Sequence, residues 1–247
     1  MGEKSADGMR KLGSWLVEIV VIVASILLAF GIEAWWDERQ NREEEQQILA
    51  GLEREFTDYQ DRLVFALKMH GEMSHAMKTI YQATDQGIWS ATDITLDAAL
   101  MRTLWPPTTE LGGGVRDALV QAGGLELISD RTLREKLALW PGVYAEVLDD
   151  EVFSREMVFD KLLPHLTSQG FDLGAALEGL RYEGTVPSPI NESEAETRRL
   201  LTDRKFRSLL QARYGFWLHA GEEYDTALVA AREILELIEK NRRALDG

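Results

Sequence analysis

The chain has 247 residues, 45% of them hydrophobic, enough for one large or two small domains with a packed core and too apolar for a disordered chain. Lysine and arginine number 27 against 42 aspartates and glutamates, and the net charge of −15 argues against nucleic acid and anionic lipid surfaces and for cationic or neutral partners. There is no cysteine, which excludes disulfides, thiolate metal sites and cysteine nucleophiles and leaves the redox compartment open.

Residues 1–14 read as a short tail ahead of the most apolar stretch, Trp15 to Trp36 (WLVEIVVIVASILLAFGIEAWW). A helix rises about 1.5 Å per residue and a bilayer core is about 30 Å thick, so roughly 20 mainly apolar residues are needed to span it. The uninterrupted run Ile19 to Ile32 is short, and Trp15, Leu16, Val17, Ala34, Trp35 and Trp36 complete it, with the tryptophans where an aromatic belt belongs. A cleaved signal peptide would end in a small-x-small site, whereas this run passes through Glu33 and two tryptophans into a helical pattern. The reading is an uncleaved transmembrane helix over 15–36. Lys4, Arg10 and Lys11 precede it, and Arg39 and Arg42 follow in an acidic flank. That bias places the N-terminus in the cytoplasm and residues 37–247 on the far side, the periplasm in a bacterium.

Glu18 and Glu33 are unusually placed, about 22 Å apart along the axis and about 60° apart around it, near opposite interfaces. Their bland reading is interfacial or helix-pairing glutamates; the sharper one is an ion or proton relay. Ser25 and Ala29 form a small-xxx-small pair on a face shared by Glu18, Ile22, Ile32 and Trp36, which points to contact with another transmembrane helix, most simply a second copy.

From Asp37 to Gln86 there is no proline, so the helix continues as a stalk, one helix of roughly 70 residues. Leu52, Phe56, Tyr59, Leu63, Ala66, His70, Met73, Met77 and Ile80 alternate steps of four and three, the spacing of a packing seam. Gly51 and Gly71 are its weak points, each costing about 1 kcal/mol relative to alanine. After a break at 85–93, a short helix is expected from Ile94 to Leu104, ended by Pro106 and Pro107, then another from Val115 to Gln121 closed by Gly123 and Gly124. Ser129 is the expected N-cap of a helix carrying Leu133, Leu137, Trp140 and Tyr144 on one face, kinked at Pro141. The pattern resumes through Val147, Leu148, Val158, Phe159, Leu162 and Leu163 and stops near Pro164 to Gly170. Residues 170–193 read as a connection with at most one short helix. The last helix starts at Glu194 or at Asp203 and runs to Leu245, its seam being Leu210, Tyr214, Trp217, Gly221, Tyr224, Leu228, Ala231, Leu235 and Ile238. No strand pattern competes, so the expected fold is all-α: a transmembrane helix, a long stalk and an antiparallel helical bundle outside the membrane. If the two seams pair antiparallel, His70 meets Gly221, Ile80 nears Leu210 and Leu52 nears Ile238.

Glu18 and Ile19, the aliphatic span and Trp36-Asp37-Glu38-Arg39 resemble the N-terminal signature of a family of bacterial single-pass inner-membrane proteins of unknown function. Leu119, Gly123, Leu125, Leu127, Ile128, Asp130, Leu133 and Arg134 are similar to a second pattern of that family, and LLTDRKFRSLL looks like the start of its last helix. The resemblance covers about a third of the chain and implies a bacterial inner-membrane location without any chemistry; Glu33 and Ala34 depart from it.

Glu72 and His75 have the Glu-x-x-His spacing of carboxylate-bridged metal bundles, but no second such pair exists. His165 and His219 stand alone, Gly112 to Gly114 lack the lysine of a phosphate loop, and Asp149, Asp150 and Glu151 read as a solvated face. No cofactor, metal or catalytic residue is assigned. The functional expectation is a non-enzymatic, membrane-anchored scaffold, sensor or partner-binding subunit, with the bilayer and a second copy or another membrane protein as partners. The alternative is an accessory subunit of an ion-translocating complex using its intramembrane carboxylates.

Overall fold

The computed structural model describes residues 3–86, 96–106, 108–171 and 198–246; the side chains of residues 1–22, 24, 82–86, 96, 97 and 246 lie outside that description, as do the expected connection at 170–193 beyond Phe171 and a last-helix start at Glu194. The described residues are all-α. Helix α1 spans Glu3–Gln86, α2 Leu96–Thr103, α3 Val115–Gln121, α4 Arg131–Glu156, α5 Leu163–Ser168 and α6 Arg204–Asp246. A 3₁₀ turn, Gly124–Leu127, precedes α4, and a π-helical stretch, Met157–Leu162, joins α4 to α5.

At 84 residues α1 is longer than the stalk and span expected, on the order of 125 Å, because residues 3–14, read as a tail, are helical too. Among its described side chains the first buried one is Glu45; from there to Ile80 its seam is packed between the other long helices, and His70 alone in it is half-buried. α4 climbs beside α1 and α6 returns antiparallel to it. The register shows at three levels: Glu53 pairs with Arg242, the His70 ring stacks on Trp217 at 4.9 Å beside Gly221, and Tyr81 lies 5.7 Å from Tyr214, centroid to centroid. Two apolar clusters fill the bundle. One joins Leu52, Phe56 and Leu63 to Trp140, Tyr224 and Ile238; the other joins Met73, Met77 and Ile80 to Val158, Leu162 and Leu210.

The α6 seam differs from its expected form. Leu210, Trp217, Tyr224, Leu228, Ala231 and Ile238 are buried, but Tyr214, Gly221 and Leu235 are only half-buried, while Arg213, Ala220, Ala227 and Ile234 are buried. A helix touching one partner buries a narrow stripe; α6 packs on both α1 and α4, and the wider stripe includes the neighbouring position in nearly every second layer.

One local expectation is corrected. The α4 N-cap is Asp130, whose Oδ1 accepts from the Leu133 N–H at 2.8 Å; Ser129 instead donates its N–H and hydroxyl to Glu45 Oε1, at 2.7 and 2.8 Å. Pro141 neither ends nor splits α4. A helix-interior proline leaves the carbonyl four residues back without its donor. Here that carbonyl belongs to Leu137, and the buried Arg116 supplies the donor through Nε at 2.9 Å. The helical pattern stops between Pro164 and Gly170 as expected: α5 ends at Ser168, with Pro164 in its first turn. Within the π-helical stretch Val158 and Leu162 face the core, while Phe159 and, earlier, Leu148 stay exposed.

Gly123 is the stop expected after α3: it sits at φ 71°, a left-handed conformation that glycine adopts without strain.

Candidate functional site

Three features could carry function, and the first is the apolar part of α1. Among the described residues no helix is long and apolar enough to cross a membrane. The expected span lies inside α1, with the side chains of Trp15, Glu18 and Ile22 outside the description. From Ser25 on, every side chain through Glu44 is exposed, Ala29, Glu33, Trp35 and Trp36 included. Leu27, Leu28, Phe30 and Trp36 are each more than 60% exposed, and together with Val23, Ile26, Ile32 and Trp35 they cover all sides of the helix. The Arg39 guanidinium, one turn on, lies 6.0 Å from the Trp35 ring centroid, and no other helix of the described chain covers this apolar surface.

The second feature is a set of buried polar side chains that pin the connection between α2 and α3 onto the long helices. Arg213 is 2% exposed. Its Nε donates to the Thr103 carbonyl at 2.5 Å, Nη1 to the Ser154 carbonyl and hydroxyl at 3.0 and 2.9 Å, and Nη2 to the Trp105 carbonyl at 3.2 Å. No carboxylate among the described residues pairs with it, so burial pulls its pKa down to about 10. Glu151, also 2% exposed, accepts at Oε1 from the Thr109 N–H and hydroxyl, at 2.9 and 2.8 Å, and from the Tyr224 hydroxyl at 3.2 Å. Burial raises its pKa and those hydrogen bonds oppose the rise. The Glu151 carboxylate also pushes the Tyr224 phenol up, second to burial itself. The solvated-face reading therefore fails at Glu151. The signal was present: Trp140, Tyr144, Val147, Glu151, Ser154 and Val158 continue one four-three stripe on α4, and Arg213 sits three residues beyond Leu210 on that of α6.

Glu55 works in the same way at the next connection. Its Oε1 accepts from the Tyr59 hydroxyl at 2.6 Å and its Oε2 from the Arg116 N–H at 2.8 Å, in the first turn of α3. A Cβ on Gly114 would overlap that carboxylate where it stands, so glycine there leaves room for Glu55 at the helix end.

The third feature is what those pins create. Trp105, Pro106, Thr108 and Thr109 of the α2–α3 connection, which Arg213 and Glu151 hold, line one side of a cleft of about 740 Å³ whose other side is α1. Phe65, Met69, Met73, Trp105 and Trp217 make its apolar lining, and Asp61, Arg62, Glu72 and Arg102 its charged edge. A concave, mainly apolar site with a few placed charges is the usual form of a binding site. The cleft unites three parts of the chain distant in sequence.

Among the described residues no group of three or more histidines, cysteines, aspartates and glutamates is placed to hold a metal ion. Glu72 is half-buried at the cleft edge and His75 is exposed. His165 is not solitary: it is buried, with Nε2 3.1 Å from Asp203 Oδ2. Asp203 caps α6, accepting from the Lys205 and Phe206 N–H groups at 2.7 and 3.1 Å, and those bonds, the Phe206 one foremost, hold its pKa below the ordinary value. No protein-family model, curated protein or solved structure matches this chain.

Proposed function

We propose that this chain is a non-enzymatic, membrane-anchored helical scaffold, sensor or partner-binding subunit of a bacterial inner membrane. Residues 15–36 are its anchor, and the bundle within 37–247 is its working part on the periplasmic side. One observation carries the reading: α1 is continuous from Glu3 to Gln86, yet the described apolar side chains between Val23 and Trp36 are exposed on every face. Eight large side chains left in water forgo on the order of 10 kcal/mol of burial, as much as the whole stability of a typical domain. A lipid environment removes that cost, and Trp35 and Trp36 stand where the interface would fall, just before the charged run 37–45. The resemblance carried by Glu18, Ile19 and Trp36 to Arg39 points to the same place. The non-enzymatic part rests on Glu55, Glu151 and Arg213, the strongly placed polar groups, being bonded to the protein's own backbone and hydroxyls.

The test is alkaline carbonate extraction of membranes from cells making the full chain. Retention in the pellet is expected, and release into the supernatant overturns the anchor. Because the chain has no native cysteine, single cysteines report the pairing face directly. Ser25→Cys and Ala29→Cys should cross-link in membranes more than Leu27→Cys on the opposite side of the helix. Equal yields would show that this face is not a pairing face.

A further inference from the structure

We propose that the cleft between α1 and the 103–111 connection receives an amphipathic helix of a partner protein, one with a basic residue at each end of its apolar stripe and an acidic residue between them. The cleft's charges carry the inference. Arg62 is already engaged, by Asp58 at 2.8 Å and by the Thr109 carbonyl at 3.3 Å. Asp61, Glu72 and Arg102 line the same cleft, and their side chains make no hydrogen bond or ion pair among the described residues. Asp61, Phe65, Met69 and Glu72 follow one another at steps of four, four and three, on one face of α1. The two free carboxylates therefore stand about 16 Å apart along the axis and within about 20° of each other around it. Phe65 and Met69 lie between them, and Arg102, in the last turn of α2, lines the same cleft. A helix laid along α1 meets this pattern with two basic residues eleven positions apart, apolar anchors between them and an acid turned toward Arg102.

The apolar lining supports the same occupant. Phe65 is 63% and Trp105 55% exposed, large aromatic surfaces of the kind that anchor a helix in a groove, and Met69 and Met73 supply an adaptable floor. The net charge of −15 steers a basic-flanked segment toward the bundle. Bilayer lipid is the weaker occupant. Phe65 lies about 43 Å beyond Trp36 along α1, out of reach of the membrane whose edge Trp36 marks. That step rests on the anchored reading above, and the inference deepens it by naming the chemistry of the partner.

The experiment uses the full chain in nanodiscs and two fluorescein-labelled synthetic helical peptides. One has a leucine and methionine stripe, lysines at positions i and i+11 and a glutamate on the intervening face; the other has the charges reversed. Anisotropy should show saturable binding of the first peptide and at least about tenfold weaker binding of the second. Asp61→Lys with Glu72→Lys should reverse that preference, and Phe65→Ala should weaken both. Asp61 and Phe65 are exposed and Glu72 is half-buried, so folding should persist, as circular dichroism would verify. The proposal is overturned if neither peptide binds, if both bind alike, or if the reversed variant keeps the wild-type preference. A concentration-dependent dimer abolished by Phe65→Ala would also overturn it, assigning the cleft to a second copy. Failure here with retention in carbonate-washed membranes sinks only the cleft proposal; peptide binding by a chain that carbonate releases sinks only the anchor.

Discussion

Arg116 and Pro141 form a coupled pair whose energetics can be worked from the structure. Pro141 removes the N–H that would bond the Leu137 carbonyl, and Arg116 Nε, on α3, takes that carbonyl instead. Arg116→Met keeps most of the aliphatic stem but leaves the carbonyl unpaired in a buried place, at a cost of about 1–3 kcal/mol. It also removes the ion pair with Asp117, whose side chain is 35% exposed, so that contribution is about 1 kcal/mol or less. The single substitution should therefore cost about 2–3 kcal/mol. In a Pro141→Ala background the restored backbone N–H reaches the same carbonyl, and Arg116→Met should then cost only about 1 kcal/mol. Pro141→Ala alone should gain less than the ~3 kcal/mol attached to a helix-interior proline, because the new N–H displaces Arg116. Urea unfolding of the full chain in mild detergent, followed by far-ultraviolet circular dichroism for the wild type, both single variants and the double, gives the coupling directly. An interaction energy of about 1–2 kcal/mol is expected, and equal costs of Arg116→Met in both backgrounds would refute the reasoning.

Two further predictions use the same assay. Gly221→Ala places a Cβ 2.5 Å from His70 Cε1, against a ring fixed by its stack on Trp217 and a 2.6 Å contact of Nε2 with the Trp217 carbonyl, so the clash should outweigh the ~1 kcal/mol helix gain and leave a net loss of about 1–3 kcal/mol. Gly215→Ala meets nothing within 4 Å and should stabilise by up to about 1 kcal/mol; the opposite ranking would sink the register assigned to α1 and α6. Burial raises the Glu151 pKa, so the folded state holds its proton more tightly, and its contribution is present below the ordinary 4.5 and lost as pH rises through the raised value. Glu151→Gln keeps an acceptor for Thr109 and Tyr224 without the charge, so its stability relative to wild type should rise from about pH 4 to pH 8; a flat difference would mean that Glu151 is not strained by burial.

Much of the architecture was legible because helical periodicity is a local property. The steps of four and three from Leu52 to Ile80 and from Leu210 to Ile238 identify two seams of equal length, and antiparallel pairing of the two, which the sequence alone does not choose over self-pairing of the first, puts His70 on Gly221. The unusual apolarity of 15–36 is likewise written in composition alone. Periodicity names the face of one helix, though, not how many partners that face meets. Contact with both α1 and α4 decided that Arg213, Ala220 and Ile234 are buried more deeply than Tyr214, Gly221 and Leu235. Capping and polar satisfaction were tertiary decisions too. Ser129 and Asp130 are both good N-caps in isolation, and Glu45, 84 residues earlier, claimed the serine and left the cap to Asp130. That α4 runs on through Pro141 was not legible either, because the sequence does not show a donor from α3 waiting at Leu137. The cleft was least legible: Asp61 and Glu72, Arg102 and Trp105, and Trp217 come from three distant stretches, and only the packing of α1 against α6, with the α2–α3 connection pinned by Arg213 and Glu151, brings their charges and aromatic surfaces to one place.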